Sequence, residues 1–285
     1  MANTVGLIGV GAMGLALLTR LRAAGREVSA FDVAADRLGL ARDEGADVAD
    51  SVAAATRGAG CVHVFVRTDD ELLDVTLGHD GVLESAAKGT IVFLHSTVLP
   101  QTTRRVAEAA AERGIKALDA PVSSVPRAVR EGKAVFFLGG SDDLVAEARP
   151  HLEPLGAAVY HFGPTGSGNV AKIARNLINA AERVALAEVL AIVEAGGLDV
   201  RRFLEMAVAT DGGSTVSRWE RAFEIRENRA LPRPATNLLN KDVGLAAELC
   251  AAYGLDAPVT AGAAATAAIW VAGWNKAASG SGGGL

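Results

Sequence analysis

TVGLIGVGAMG, residues 4–14, is an apolar run that leads straight into Gly9, Gly11 and Gly14. Gly9 permits a tight strand-to-helix turn, and Gly11 lets the backbone approach a pyrophosphate. Gly14 lets a helix over 12–24 pack closely on a sheet. The start of that helix, with Val10, Ala12 and Met13 between the glycines, presents backbone N–H groups to phosphate charge. Asp32 closes a second apolar strand, EVSAFD, 18 residues after Gly14. A carboxylate placed there accepts hydrogen bonds from both hydroxyls of a ribose. A strand-end Asp that merely begins a turn would explain the acid, but not the order strand, Gly turn, helix, strand and acid within one unit of about 30 residues. The expected cofactor residues here are Gly9, Val10, Gly11, Ala12, Met13, Gly14 and Asp32.

The chain has 285 residues, enough for one or two domains with a buried core, and 50% of them are hydrophobic. Its 28 Lys+Arg against 33 Asp+Glu give a net charge of −5. No dense basic cluster marks a phosphate-backbone footprint, so no nucleic-acid partner is expected. Cys61 and Cys250 form no CxxC or Cys/His spacing suited to zinc, and the histidines at 63, 79, 95, 151 and 161 show no paired metal spacing. No metal is expected, and a reducing cytoplasm is the simplest location. Residues 5–18 are apolar but preceded by no Lys or Arg, so no targeting segment is assigned. The uncharged stretch 257–274 is dominated by Ala, Gly and Thr and reads as a buried or interface helix rather than a membrane span. Trp219, Trp270 and Trp274 fall in helical patterns and read as core or subunit interface.

Along the first half, the strand-like runs TVGLIGV, EVSAFD, CVHVFVR, TIVFLHS, IKALDAP, AVFFLGG and AVYHFG alternate with helical stretches at 34–44, 101–113 and 142–153. This is a doubly wound α/β pattern. After Gly163 strands vanish, and 168–195, 199–208, 214–227, 236–253 and 258–273 carry helical periodicity. The expected fold class is α/β, an N-terminal Rossmann-type doubly wound sheet followed by an all-helical C-terminal domain. The expected boundaries are 1–163, 164–277 and a flexible Gly/Ser-rich tail over 278–285.

In GPTGSGNVAKIARNLI, residues 163–178, Lys172 and Asn176 are four apart and share a helical face. The glycines at 163, 166 and 168 allow close backbone approach, and a Lys near a helix start faces the positive end of the dipole, which disfavours its charged form. Spacing alone also admits a solvated Lys beside an ordinary helical Asn.

With these residues the chain resembles the β-hydroxyacid dehydrogenases, the group containing 3-hydroxyisobutyrate dehydrogenase and relatives of 6-phosphogluconate dehydrogenase. GLIGVGAMG looks like the family's cofactor signature. STVLP at 96–100 is similar to its S-T-x-x-P loop near the nicotinamide, which brings in Thr97. DAPVS at 119–123 matches its substrate-binding segment, and GSGNVAKIARN matches its G-x-G-x-x-x-K-x-x-x-N. The resemblance implies Lys172 as the catalytic residue and Asn176 as a substrate ligand. NKDVGLA at 240–246 resembles the K-D-L-x-L-A segment and implies Lys241 near nicotinamide and substrate; Lys241 and its neighbour Asp242 cannot face the same way on a helix, and Lys241 is the one expected to reach the site.

Two departures bear on specificity. The family commonly has Gly-Gly after the serine matched by Ser123, whereas this chain has Ser124 and Val125. Arg67, after Val66 in VFVRTDD, stands where the family often has a proline or small residue near the cofactor. Substrate contacts are therefore expected from Ser123, Ser124, Val125 and Asn176, and cofactor contacts also from Val66, Arg67, Thr97 and Lys241. Ser96 and Thr97 have a second reading as caps of the helix near Pro100.

The resemblance implies a hydride transfer between NAD and a small 3-hydroxy acid or related hydroxyl compound, with Lys172 as proton donor and acceptor. Asp32 favours NAD, while nearby Arg37 leaves NADP as the alternative cofactor. A homodimer or homotetramer through the helical domain is implied as well. Two other readings of the same fold are an imine reductase, whose known members typically lack the lysine, and a non-catalytic nucleotide-binding module. Lys172 and Asn176 together argue against both.

Overall fold

The computed structural model describes residues 4–210, 217, 219–233 and 236–280. Two compact units, Met1–Lys172 and Ile173–Leu285, divide the chain.

The first unit begins β1 (Thr4–Ile8), α1 (Ala12–Ala23), β2 (Glu27–Phe31), α2 (Ala35–Asp43), β3 (Asp47–Val48), α3 (Val52–Thr56), β4 (Cys61–Val64), α4 (Asp69–Leu77), α5 (Val82–Ser85) and β5 (Ile91–Leu94). It continues with α6 (Pro100–Glu112), β6 (Lys116–Asp119), α7 (Pro126–Arg130), β7 (Ala134–Leu138), α8 (Asp142–Leu152) and β8 (Gly156–His161). A six-stranded sheet has the order β3-β2-β1-β4-β5-β6, and every neighbouring pair in it is parallel. Strands β4 and β5 are buried at every residue, as expected for a parallel sheet covered on both faces. One face carries α1, whose Leu15, Leu17, Leu18 and Leu21 pack with Leu7, Phe93 and Phe136. The other packs Val62, Val64, Val92 and Leu94 against Leu72 and Val106.

Strand order reverses at β1, between β2 and β4, so the carboxyl ends of these strands flank the crevice where open α/β sheets bind ligands. Strand β3 pairs only through Asp47 and Val48, too short to leave an apolar pattern in the sequence. Strands β7 and β8 form a separate parallel pair. Single antiparallel bridges join Asp119, the last residue of β6, to Gly139 just after β7, and Val122 to Phe136 within β7.

Helix α9 (Ser167–Ala195) is followed in the second unit by α10 (Val200–Ala209), β9 (Phe223–Arg226), β10 (Arg229–Pro232), α11 (Thr236–Ala252) and α12 (Pro258–Gly280). Its core combines Leu186, Leu190, Val193, Val200, Leu204 and Phe223. Here the expectation of an all-helical stretch after Gly163 is corrected. The segment 214–227 lies partly outside the described residues, and its remainder forms a short 3-10 turn followed by β9 rather than a helix. Glu227 and Asn228 adopt φ of 47° and 60°, the left-handed pair of a two-residue hairpin turn. Arg229 then pairs with Arg226, and Pro232 with Phe223. Pro232 falls on an edge of this two-stranded ribbon, where a missing N–H is tolerated.

Helix α12 runs to Gly280, three residues into the stretch read as a tail, and 281–285 lie outside the described residues. So do the side chains of Trp270 and Trp274. Trp219 packs against the core of the second unit. Among the described residues no helix is long and apolar enough to cross a membrane. Both cysteines are free thiols.

Candidate active site

The loop after β1 shows what each glycine does. Gly9 has φ 90°, and a side-chain carbon there would overlap the Phe65 carbonyl oxygen. Its N–H donates to Phe31 O at 2.8 Å, joining the ends of β1 and β2. At Gly14 the same carbon would overlap the Gly9 carbonyl, so this glycine seats α1 on the loop. Gly11 differs: nothing lies within 4 Å of where its side chain would be, and it caps α1 with no side-chain hydrogen bond. The first-turn N–H groups of α1 therefore face open space beside an exposed, side-chain-free residue. Met13 instead turns inward and packs on the core.

That space belongs to a pocket of about 420 Å³ lined by Gly9, Gly11, Asp32, Arg37, Val66 and Arg67 among others. Asp32 Oδ2 accepts from Val10 N at 2.6 Å and Oδ1 from Ala34 N at 2.9 Å. A carboxylate has about four acceptor positions, so capacity for ribose hydroxyls remains. Arg67 is anchored at the mouth by Glu71, which accepts from its backbone N–H at 2.7 Å and its guanidinium at 3.3 Å. The Val66 N–H donates to Ser96 Oγ at 3.1 Å. A cradle that a side chain at Gly11 would fill, uncapped helix N–H groups and an acid at the adjacent strand end together fit a dinucleotide.

These contrasts make a paired prediction. Gly9→Ala should destabilise the fold by roughly 1–3 kcal/mol from backbone strain alone, with overlap adding to it. Gly11→Ala should leave stability within about 0.5 kcal/mol, the usual range away from packed positions. Its NAD dissociation constant should nevertheless rise about tenfold or more if the open space at Gly11 receives the pyrophosphate, because the added methyl would fill it. Thermal melts and cofactor titration of the two variants check this; the reverse pattern would remove Gly11 from the cofactor cradle.

Around Lys172 the first unit is dense in hydrogen bonds. Lys172 is buried, and its Nζ donates to the Val122 carbonyl at 2.8 Å. Asp119, fully buried at the end of β6, accepts from Gly166 N at 2.7 Å and from Asn169 N at 2.9 Å. Burial pushes its carboxyl up to about 6 against the opposing pull of these donors. Asn169, also fully buried, accepts from Val98 N at 3.3 Å and donates to Thr103 Oγ1 at 3.0 Å, tying the STVLP loop and α6 to the start of α9. The cap of α6 is Leu99, so neither Ser96 nor Thr97 caps it. Asp69 serves that turn instead, accepting from Leu99 N at 2.9 Å and Thr102 Oγ1 at 2.5 Å. Thr97 is half-buried in the loop.

Gly168 was expected to allow close backbone approach, and the group that approaches is protein: a side-chain carbon there would overlap the Phe137 carbonyl and press on Asp119 Oδ2. This glycine lets protein meet protein. Ser123 is held through its N–H to Val135 O at 2.8 Å, while Ser124 Oγ donates to Lys133 O at 3.4 Å. Val125 caps α7 and is 44% exposed.

Below this segment lie His63 and His95. The Ala120 carbonyl can only accept, so His95 Nδ1–H donates to it at 2.7 Å, and His95 Nε2 accepts from His63 Nδ1–H at 2.8 Å. Burial pushes His95 down to about 4 and His63 well below its ordinary value, so both stay neutral, with His95 holding the Ala120 carbonyl and His63 holding His95.

In the second unit, Asn176 Nδ2 donates to Asp242 Oδ2 at 2.9 Å, and Lys241 Nζ lies 3.2 Å from Asp242 Oδ1. The direct neighbour of Asn176 is thus Asp242, where Lys241 was the residue expected to reach the site. A shared carboxylate reconciles the two, because one oxygen faces each partner.

A family model described as the NAD binding domain of 6-phosphogluconate dehydrogenase matches residues 4–163, and one described as the NAD-binding of NADP-dependent 3-hydroxyisobutyrate dehydrogenase matches 166–281. The chain belongs to the β-hydroxyacid dehydrogenases. Members of this group are NAD(P)-dependent oxidoreductases acting on CH–OH, and the binding unit of this chain serves NAD, with NADP allowed as the alternative. Among relatives, the NAD-dependent L-serine dehydrogenase of Pseudomonas aeruginosa is 31% identical over 90% of this chain and 88% of that enzyme. A 3-hydroxyisobutyrate dehydrogenase of the same organism is 35% identical over 85% of this chain and 83% of that one. The solved 3-hydroxyisobutyrate dehydrogenase of Mycobacterium tuberculosis with L-serine superposes with a TM-score of 0.80 at 27% identity, covering 95% of this chain and 94% of that one.

Proposed function

We propose that this β-hydroxyacid dehydrogenase interconverts a small 3-hydroxy acid, or a related hydroxyl compound, with its aldehyde or ketone, with Lys172 as the proton carrier. The observation that carries the reading is a buried lysine amine, aimed at the Val122 carbonyl, one helical turn before Asn176. L-Serine and 3-hydroxyisobutyrate, named for the relatives, are both small acids with a hydroxyl on carbon 3, which supports this substrate class.

The nicotinamide supplies a hydride acceptor for the carbinol carbon. Gly9, Val10, Gly11, Ala12, Met13 and Gly14 form the pyrophosphate turn, and Asp32 takes the ribose hydroxyls. Val66, Arg67, Thr97 and Lys241 complete the cofactor contacts. Ser123, with Ser124 and Val125, holds the substrate carboxylate, and Asn176 orients the reacting oxygen. Lys172 removes the hydroxyl proton as the C–O bond gains double-bond character, and returns it in the reverse direction. Holding the reacting atoms about 3–3.5 Å apart supplies much of the rate. A cytoplasmic location is supported by two free cysteines. A homodimer or homotetramer through the helical unit is supported by exposed apolar side chains there, including Ile178, Ile192 and Met206.

Turnover of NAD with a panel of small 3-hydroxy acids, followed by nicotinamide absorbance, tests the assignment. Oxidation of at least one is expected; reduction of cyclic imines with no alcohol oxidation, or cofactor binding with no turnover, would contradict it.

Ser124 and Val125 lead to a separate expectation. Where glycine amides would grip a carboxylate, Val125 narrows the space and restricts the loop. The double change Ser124→Gly, Val125→Gly should raise kcat/KM for 3-hydroxyisobutyrate with cofactor affinity unchanged. High initial activity that the change does not improve would make these two side chains bystanders.

A further inference from the structure

We propose that Asp119 is a positioning residue for the proton carrier: its buried carboxylate fixes the first turn of α9 and so sets where Lys172 meets the 119–122 segment. This rests on the assignment of Lys172 as that carrier.

Two short segments are braced twice. At one end the Asp119 carboxylate takes the N–H groups of Gly166 and Asn169, one on each oxygen. At the other, three residues further along both segments, Lys172 Nζ reaches back to the carbonyl of Val122. The first link fixes the backbone from which Lys172 reaches, because the helix is rigid over that distance, and leaves the four rotatable bonds of the side chain to complete the second. A carboxylate at a helix start is favoured by the dipole and forms charge-assisted bonds, stronger than those of a neutral acceptor.

The site is built around this group. A side chain at Gly139 would press on both Asp119 oxygens and one at Gly168 on Oδ2, so glycine at both positions makes room for the carboxylate. Its backbone is fixed as well, with Gly139 N donating to Asp119 O at 3.0 Å and Ala120 held by His95 from below. Asn169, one of the two residues whose N–H the carboxylate holds, extends the brace to Val98 and Thr103. Both Asp119 oxygens already accept backbone N–H groups, which suits positioning rather than proton exchange with a substrate.

Asp119→Asn keeps the size but turns an amide N–H₂ toward one of the two backbone donors. A small displacement of the reacting group costs up to about 10²-fold in rate. We therefore expect kcat to fall about 10–100-fold while the KM for NAD stays within about twofold, since the cofactor turn lies elsewhere. The deciding readout is a double-mutant cycle with Lys172→Ala. If Asp119 acts through Lys172, adding Asp119→Asn to Lys172→Ala produces little further loss. An equal loss in both backgrounds would overturn the proposal and leave Asp119 with a purely structural role. Full turnover by Lys172→Ala alone would overturn it in a different way, by removing the proton carrier itself. Gly166→Ala keeps the carboxylate but strains a backbone donor at φ 96°, and serves as the second variant if Asp119→Asn does not fold. It should show the same dependence on Lys172, and independence would count equally against the proposal.

Discussion

Replacing Lys172 by Ala should lower kcat by about two to four orders of magnitude, the scale for removal of a general acid–base. The loss should appear in kcat and kcat/KM alike, because the amine acts mainly in the transition state. Cofactor affinity should barely change: Lys172 does not line the pocket formed by Gly9, Gly11 and Asp32. Stopped-flow or steady-state assays with NAD, together with a cofactor titration, separate these quantities. Near-normal turnover in Lys172→Ala would remove this residue from the chemistry and return the imine-reductase and binding-module readings to consideration.

The second large effect concerns the choice between NAD and NADP. In its proposed role at the ribose hydroxyls, Asp32 would put a carboxylate beside the extra phosphate of NADP, and like charges so placed cost several kcal/mol, or roughly 10²-fold or more in efficiency. The wild type should therefore prefer NAD. Asp32→Ala should bring the two efficiencies toward parity, since Arg37 lines the same pocket and, although it lies 3.7 Å from Asp36, no longer shares the pocket with the Asp32 charge. The same change should also lower efficiency with NAD, because Asp32 holds the Val10 N–H at 2.6 Å and so braces the glycine turn itself. Asp32→Asn keeps an acceptor for that N–H and should lose less. Comparable or better efficiency with NADPH in the wild type, unaltered by Asp32→Ala, would show that this acid does not discriminate.

How much of this was legible depends on whether a residue's demand is local. Gly9, Gly14 and Asp32 act within a short span, so their spacing alone announces the turn, and the sheet around them follows from apolar runs that need burial on both faces. Strand β3 left no trace because two paired residues cannot show a period. The β9–β10 hairpin was missed because strands of four residues are too short for an alternation such as that of Phe223–Arg226 to stand out, and its turn relies on the left-handed tolerance of Glu227 and Asn228 rather than on glycine. Lys172 and Asn176 stood out by spacing and resemblance. Asp119, Asn169 and Asp242 lie in the quoted motifs, but their contacts were not readable there, because their partners lie 47, 71 and 66 residues away and only the fold brings them together. Gly168 shows the limit from the other side: the sequence says that something approaches closely, and the structure identifies it as the Phe137 carbonyl.

The central claim is that hydride leaves a carbinol carbon for the nicotinamide while its hydroxyl proton leaves through Lys172. Its most direct test uses 3-hydroxyisobutyrate or L-serine carrying deuterium on carbon 3, incubated with NAD and the full-length protein. The reduced cofactor is then examined by NMR. The account predicts deuterium at C4 of the nicotinamide, transferred without exchange with water, and formation of that product at least about 10²-fold slower in Lys172→Ala. Protium from solvent at C4, or reduced cofactor formed equally fast without the lysine, would contradict it.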